Sequence, residues 1–488
     1  MKSTLRTSSA LLAALAVLSA AACGESAEAP AQGQAADQTA EAITSAETEA
    51  AVTEATPEFD TADYGGAKFT VLYPGWGHFN DYFFTDEETG DQMNDAIYQR
   101  MVKTEEYLGV DLENVTPGYI ETIAPAVQKA VMAGADDYQM VLTHCISGVA
   151  DMMQSHLLYD FRQLPFVDLE GEYFNHQIDD LLSIGGRSYY EASEYMISDP
   201  NCYLFNTKMR ESYGVPDLYD LVRTGKWTMD RNIEYASLVS VDVDGNGKFD
   251  ENDQYGMTAE ADWMLNSFYN AFGKYTVRKE GDTYVLDLGD DKTVEIFNKC
   301  FDLFRGGDYA YTWGYAAENH VKIDTDRCLF TIVPINSVKT LRESPVDFGI
   351  LPYPKYDEAQ EGYYSVNWSG LMCVPATVAD PEMVGKVIQT LSVFSRDTVQ
   401  SAYYDVLLTG KLARDEASVE MLHVIFDGVV YDPGMNYFGF NSSFQSLFYG
   451  IPNLINQNKN DFASLYAKNE KGATKAIEKF ISKVMEDG

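Results

Sequence analysis

Asp242 to Asp253 reads DVDGNGKFDEND, and its oxygen-bearing residues recur at the spacing of a calcium-binding loop. Asp242, Asp244 and Asn246 stand at the first, third and fifth places, Gly247 supplies the sharp turn, Lys248 offers a backbone carbonyl and Asp250 stands at the ninth place. Asp253 takes the twelfth place, where a longer glutamate usually grips the ion with both oxygens. A hard cation needs six to eight oxygen ligands, and this spacing gathers them around one turn. Ca2+ in a structural role is therefore the expected cofactor. The same residues also compose a solvated, metal-free turn.

A second set of side chains has the chemistry to hold a small polar molecule. Trp76, Tyr190, Trp263, Trp313, Tyr315, Trp368 and Tyr437 stand at turns rather than in apolar periodic runs. A sugar ring packs its C–H faces on flat aromatic surfaces and needs paired donors and acceptors for its hydroxyls. Asp262-Trp263, Tyr190-Glu191 and Asn367-Trp368 combine both properties. As a group these residues favour a carbohydrate ligand, although any single large aromatic is more often buried in a core. Trp227, at the start of a helix in GKWTMD, reads as structural. There is no GxSxG elbow, HExxH, GxxxxGK[ST] or GxGxxG after the first strand. Binding without bond breaking is expected. Abundant carboxylate pairs leave a glycosidase as an alternative that turnover on an oligosaccharide would reveal.

The elements that must position these residues begin after a distinctive N-terminus. Lys2 and Arg6, the apolar stretch Leu11 to Leu18 and the small residues Ser19 to Ala22 form an export signal ending at Cys23. LSAAAC resembles a bacterial lipoprotein box, with Ala20 in place of the commoner leucine. The resemblance implies cleavage after residue 22, lipidation of Cys23 and a body held at the extracellular face of the cell membrane by that anchor alone. Residues 23–64 are rich in Ala, Glu, Thr, Gln, Ser and Pro, which cannot bury enough surface to offset their ordering entropy, so a disordered acidic tether is expected.

The remaining body is long enough for two or three domains. With a net charge of −40 over 488 residues, nucleic acid is a poor partner. Cys145, Cys202, Cys300, Cys328 and Cys373 are scattered in apolar surroundings without metal-binding spacing and read as buried thiols, one disulfide being allowed.

KFTVLY (Lys68 to Tyr73) predicts a strand that ends in the turn Pro74-Gly75-Trp76-Gly77. A helix over 92–108, a strand over 110–115, a helix over 121–133 and a strand over 138–143 follow. This alternation predicts a parallel sheet flanked by helices, whose ligands sit beyond the carboxyl ends of the strands. Trp76 and the loop from His144 to Gly148 are therefore ligand-facing candidates.

Arg187 to Gly214, GKWTMD, DQYG at Asp253 to Gly256, DFGILPYP at Asp347 to Pro354 and NWSGLMCVPAT at Asn367 to Thr377 resemble, in order and spacing, family 1 extracellular solute-binding proteins. That resemblance implies an α/β, two-lobed periplasmic-binding-protein-like fold, each lobe a sheet flanked by helices, with a hinge between them and the ligand held in the cleft. It places the first lobe at 65–192 and 324–367 and the second at 193–323 and 368–488. It further implies a substrate-binding lipoprotein of an ABC importer that passes a sugar or oligosaccharide to permease subunits. A glycan-binding surface adhesin or sensor, and a binding protein for amino acids or peptides, are the alternatives.

Overall fold

In the computed structural model, residues 55–76, 82–145, 147–260, 264–313, 323–341, 344–368, 370–409, 416–439 and 442–486 are described. The export signal, Cys23, and 24–54 of the tether lie outside them, as do Trp263 and Tyr315.

The first lobe is built on Ala67–Leu72 (β1), Val110–Val115 (β2) and Met140–Thr143 (β3), all parallel, in the order β2-β1-β3. Gln92–Leu108 (α1) joins β1 to β2, and Ile123–Met132 (α2) joins β2 to β3. The ends of α1 are set by local chemistry. The Asp91 carboxylate accepts from the Met93 and Asn94 amides, and Gly109 closes the helix at φ 59° with its N–H on the Glu105 carbonyl. Ala96, Ile97, Met101 and Leu108 turn one buried stripe of α1 toward the sheet. Val149–Gln154 (α3) and His176–Leu182 (α4) follow, and the chain then crosses to the second lobe.

Asn201–Asn206 (β4) enters the second sheet, followed by Thr207–Ser212 (α5), Leu218–Arg223 (α6), Met229–Val239 (α7), Tyr255–Glu260 (β5) and Ser267–Ala271 (α8). Next come the hairpin Val277–Glu280 (β6) and Thr283–Leu286 (β7), then Asp291–Arg305 (α9), Ala310–Trp313 (β8), Cys328–Pro334 (β9) and Phe348–Leu351 (β10). The sheet order is β10-β4-β9-β5-β8. Trp227 is fully buried and donates its indole N–H to the Pro352 carbonyl at 2.9 Å, which fixes the segment after β10 against the start of α7.

Ser365–Val366 (β11) and Leu371–Cys373 (β12) make the return crossing. Pro381–Ser395 (α10), Ser401–Thr409 (α11), Glu416–Asp427 (α12), Val429–Val430 (β13), Ser442–Phe448 (α13), Gly450–Asn456 (α14) and Phe462–Met485 (α15) complete the chain. No helix among the described residues is long and apolar enough to cross a membrane.

The two-lobed architecture is the expected one, but its segments are shared out differently. The 324–367 segment, expected in the first lobe, supplies β9 and β10, which pair with β4 on both of its sides. The return segment, expected in the second lobe, instead adds β12 to β3 in the first sheet. The Phe394 ring on α10 then packs on Tyr107 of α1 at 5.7 Å. Alternation and apolarity mark these segments as strands but carry no information about which sheet edge accepts them. Residues 55–64, expected as the end of the tether, also pack on the first lobe. Phe59 meets Phe166 and Tyr107 at 5.3 and 6.2 Å, and the Ala55 amide donates to Asp397.

The five cysteines of the body are buried, as their apolar surroundings predict.

Candidate functional site

Register locates the cleft. β1, β2 and β3 are parallel, so their carboxyl ends share one edge, and Leu371 of antiparallel β12 lies opposite Thr143 at that edge. In the second sheet β5 runs parallel to both β8 and β9, and Glu260 pairs with Trp313 at their carboxyl ends. Pro334, at the carboxyl end of β9, lies opposite Asn201. A bridge between Pro200 and Asn367 joins the outgoing and returning chains. These two crossings thus connect the carboxyl edge of one sheet to the carboxyl edge of the other, the later return of the chain to the second lobe aside. The two edges face one another, which is where open α/β sheets hold their ligands.

On the first-lobe side the turn after β1 presents Trp76. The Gly75 amide donates to the Gly118 carbonyl at 2.7 Å. A Cβ at Gly75 would lie 2.7 Å from the Thr116 methyl, so only glycine allows this close approach. His144 meets the half-buried Trp76 at 5.0 Å and 87°, and Tyr119 meets it at 6.5 Å and 67°. These edge-to-face contacts hold the indole from two sides. His144 itself is buried, with its amide on the Ser147 hydroxyl and its imidazole 3.5 Å from the Cys145 sulfur, so it supports Trp76 from behind. Tyr119 is 45% exposed and was not singled out by the sequence. Its position beside Gly118, in the loop leaving a parallel strand, is the signal that would have found it.

On the second-lobe side the half-buried Trp313 stacks on Tyr311 at 6.4 Å and 30°, next to Glu260. Between the lobes Trp368 lies on the return crossing, half-buried, with its indole N–H 3.4 Å from the Ser267 hydroxyl. Ser267 also receives the Asn201 amide at 3.2 Å. Its neighbour Asn266 is buried, and neither of its side-chain atoms has a hydrogen-bond partner among the described residues.

The crossing itself is a buried polar network. The Asn367 side chain accepts from the Asp199 amide at 3.0 Å and donates to the Tyr431 hydroxyl at 2.8 Å. The Asp199 carboxylate accepts both the backbone and the side-chain N–H of Asn336. Asn367, paired in the sequence with Trp368 as a sugar-binding set, serves the hinge instead.

Trp76, His144, Trp313 and Trp368 are therefore brought to the facing edges, while three other candidates are not. Tyr190 is fully buried and donates to the Val149 carbonyl at 3.0 Å. Tyr437 is buried and donates to the Leu182 carbonyl at 2.6 Å. Glu191 is 1% exposed, pairs its backbone with Met372 of β12 in both directions, and accepts the Ser188 hydroxyl. The two tyrosine hydroxyls and one Glu191 oxygen are taken by core partners, a choice that turn-like local sequence does not announce.

Burial pushes the Glu191 carboxyl up to about 8, against the opposing pull of the Ser188 hydroxyl. The folded state thus keeps a proton that the unfolded chain releases near its ordinary value. The associated stability is full below about pH 4.5 and is lost as pH rises toward 8. Glu191→Gln is expected to raise the melting temperature by several degrees at pH 8.5 and to change it little at pH 4.5. Parallel melts at the two pH values that move together would contradict this burial.

No family model and no curated protein matches this sequence. Solved structures do match over most of the body. The galacto-N-biose/lacto-N-biose I-binding protein of the ABC transporter from Bifidobacterium longum, in complex with lacto-N-biose, superposes with a TM-score of 0.57 at 11% identity. That match covers 86% of this chain and 99% of that one. A cyclo/maltodextrin-binding protein complexed with maltotetraose gives 0.56 at 15% identity, over 86% and 98% of the two chains. UgpB from Mycobacterium tuberculosis, in complex with glycerophosphocholine, gives 0.56 at 16%, over 85% and 99%. This chain has the two-lobed fold of those proteins.

Proposed function

We propose that this chain is the extracellular, lipid-anchored solute-binding subunit of an ABC importer, and that it captures a sugar or oligosaccharide between its lobes for delivery to a membrane permease. The observation that carries the reading is the set of half-buried tryptophans, Trp76, Trp313 and Trp368, on the two facing carboxyl edges and the crossing between them. Flat apolar faces among buried amides and hydroxyls suit a saccharide better than an ion or a charged peptide. Neighbours of this fold bind lacto-N-biose and maltotetraose, which supports the class. Another binds glycerophosphocholine, so the fold alone does not choose the solute. Binding is reversible and breaks no bond. Lipidation at Cys23 would hold the body at the outer face of the membrane.

A thermal-shift screen of the body, with mono- and oligosaccharides set against amino acids and short peptides, tests this reading. A ligand that binds only the folded state raises the melting temperature by mass action. Stabilisation by saccharides supports the assignment, and stabilisation by amino acids or peptides alone rejects the sugar class.

The loop at Asp242 to Asp253 fits a bound Ca2+. Carboxylate oxygens of Asp242, Asp244 and Asp253 lie within 4.8 Å of one another, and Asp253 is fully buried. Gly245 and Gly247 turn at φ 69° and 76° and send their amides to Asp242, which holds that carboxyl below its ordinary range. All the donors are oxygens, the ligand set of a hard cation. The Asn246 side chain, the Lys248 carbonyl and Asp250 would complete the shell. Calcium would brace the start of β5 by neutralising clustered carboxylates. Calcium at about 100 times its dissociation constant is expected to stabilise the fold by about 2.7 kcal/mol. Asp242→Ala should abolish that increment, so that calcium and chelator give the variant the same melting temperature. A wild-type melting curve indifferent to both calcium and chelator would reject the site.

A further inference from the structure

The two lobes meet at a place other than the ligand edges. Helix α4 belongs to the first lobe: the Asn175 amide that opens it is on the Ala192 carbonyl, and Ile178 and Leu182 are buried. A short helix leaves its last carbonyls without intrahelical partners. Here they are taken by side chains from elsewhere. The Lys279 ammonium donates to the Asp180 carbonyl and the Ser183 hydroxyl, both at 2.7 Å. The Tyr284 hydroxyl lies 3.0 Å from the Leu181 carbonyl and 3.1 Å from that of Ser183. The Tyr437 hydroxyl takes the Leu182 carbonyl. A cation is also the charge that the carboxyl end of a helix favours.

The donors belong to the second lobe. Lys279 and Tyr284 stand on the β6–β7 hairpin, between α8 and α9. The segment carrying Tyr437 is tied to the same lobe by the buried Asp432, which accepts the Asn270 amide and the Thr276 N–H, each at 2.9 Å. Behind the hydroxyls the rings form one cluster. Tyr284 meets Tyr437 at 5.9 Å and Phe438 at 6.3 Å, and Tyr437 meets Phe480 at 5.2 Å, with all four rings buried.

We propose that this contact is a permanent pivot: the lobes rotate about the carboxyl end of α4 when the cleft opens, while the segments that connect the lobes bend. Separation through the contact would expose four buried aromatic side chains and strip the end of α4 of its caps. Rotation about it keeps both. The pivot therefore sets the angular range of the cleft independently of any group that touches solute.

The test uses ligand-free protein, so its result does not depend on which solute is bound. Spin labels at Met132→Cys in the first lobe and Leu238→Cys in the second report the interlobe distance. Those positions are 77% and 52% exposed, whereas the five native cysteines are buried. With the pivot intact, a pulsed dipolar measurement should give a narrow distribution. Adding Lys279→Met and Tyr284→Phe should broaden it and introduce a longer-distance component. Tyr284→Phe alone keeps the ring and removes only the hydroxyl, and it should move the distribution in the same direction should the double substitution prevent folding. An unchanged distribution in the folded variants overturns the pivot. So does equal broadening on Arg223→Ala, which breaks only exposed ion pairs with Glu420 and Asp220 inside the second lobe.

Discussion

Trp76→Ala and Trp368→Ala are each expected to weaken saccharide binding by about 10- to 100-fold, with little loss of stability. Trp76 is held edge-on by His144 and Tyr119 at the carboxyl end of β1, and Trp368 lies on the crossing that joins the two carboxyl edges. A pyranose face stacked on an indole removes apolar area from water, and truncation to alanine returns it, a cost of about 1.5–3 kcal/mol per aromatic face. Each 1.4 kcal/mol is tenfold in affinity. Both side chains are only half-buried in the absence of ligand, so their loss leaves the core intact. Tyr190→Phe provides the contrast, since it removes a buried hydroxyl from the Val149 carbonyl and should lower stability rather than affinity. Titration calorimetry with the saccharide found by screening reads both. Unchanged affinity in both tryptophan variants would remove the site assignment even if a sugar binds.

The second large effect concerns folding. Arg100 on α1 is fully buried and faces no carboxylate among its described partners. Its guanidinium donates to the Phe83 carbonyl at 2.8 Å and the Tyr82 carbonyl at 3.2 Å, approaches the Ser395 hydroxyl at 3.4 Å and lies 4.4 Å over the Tyr195 ring. Burial lowers its pKa to about 10, so it stays charged at neutral pH. One side chain thus ties α1, α10 and the segment before α1 together. Arg100→Ala leaves a cavity and removes the guanidinium's hydrogen bonds to two carbonyls, and a loss of about 3–5 kcal/mol is expected. Arg100→Met refills much of the volume without restoring the donors and should fall between alanine and wild type. Urea midpoints that place methionine level with wild type would show that the hydrogen bonds contribute nothing.

Several features were legible because they depend only on neighbours a few residues away. The helix expected at 92–108 is the one found, since Asp91 caps its first turn and Gly109 stops it. The carboxylates of the acidic loop converge because Gly245 and Gly247 turn the chain wherever the loop sits. Trp227 reads as core from its own segment and is fully buried.

What tertiary structure alone decided involves partners far apart in sequence. CLFTIVP and FGIL are apolar enough for buried strands, but only the crossing at Pro200 and Asn367 sends them to β4 while Leu371–Cys373 turns back to β3. Tyr190 and Tyr437 have the same turn-like surroundings as Trp76 and Trp368, and long-range carbonyls at Val149 and Leu182 draw them into the core. Tyr119 joins Trp76 only because two parallel strands end at one edge. Turn chemistry and helix caps are written within one or two turns of chain. Sheet membership, and which aromatic faces the cleft, follow from which distant surfaces bury one another, and no local pattern encodes that.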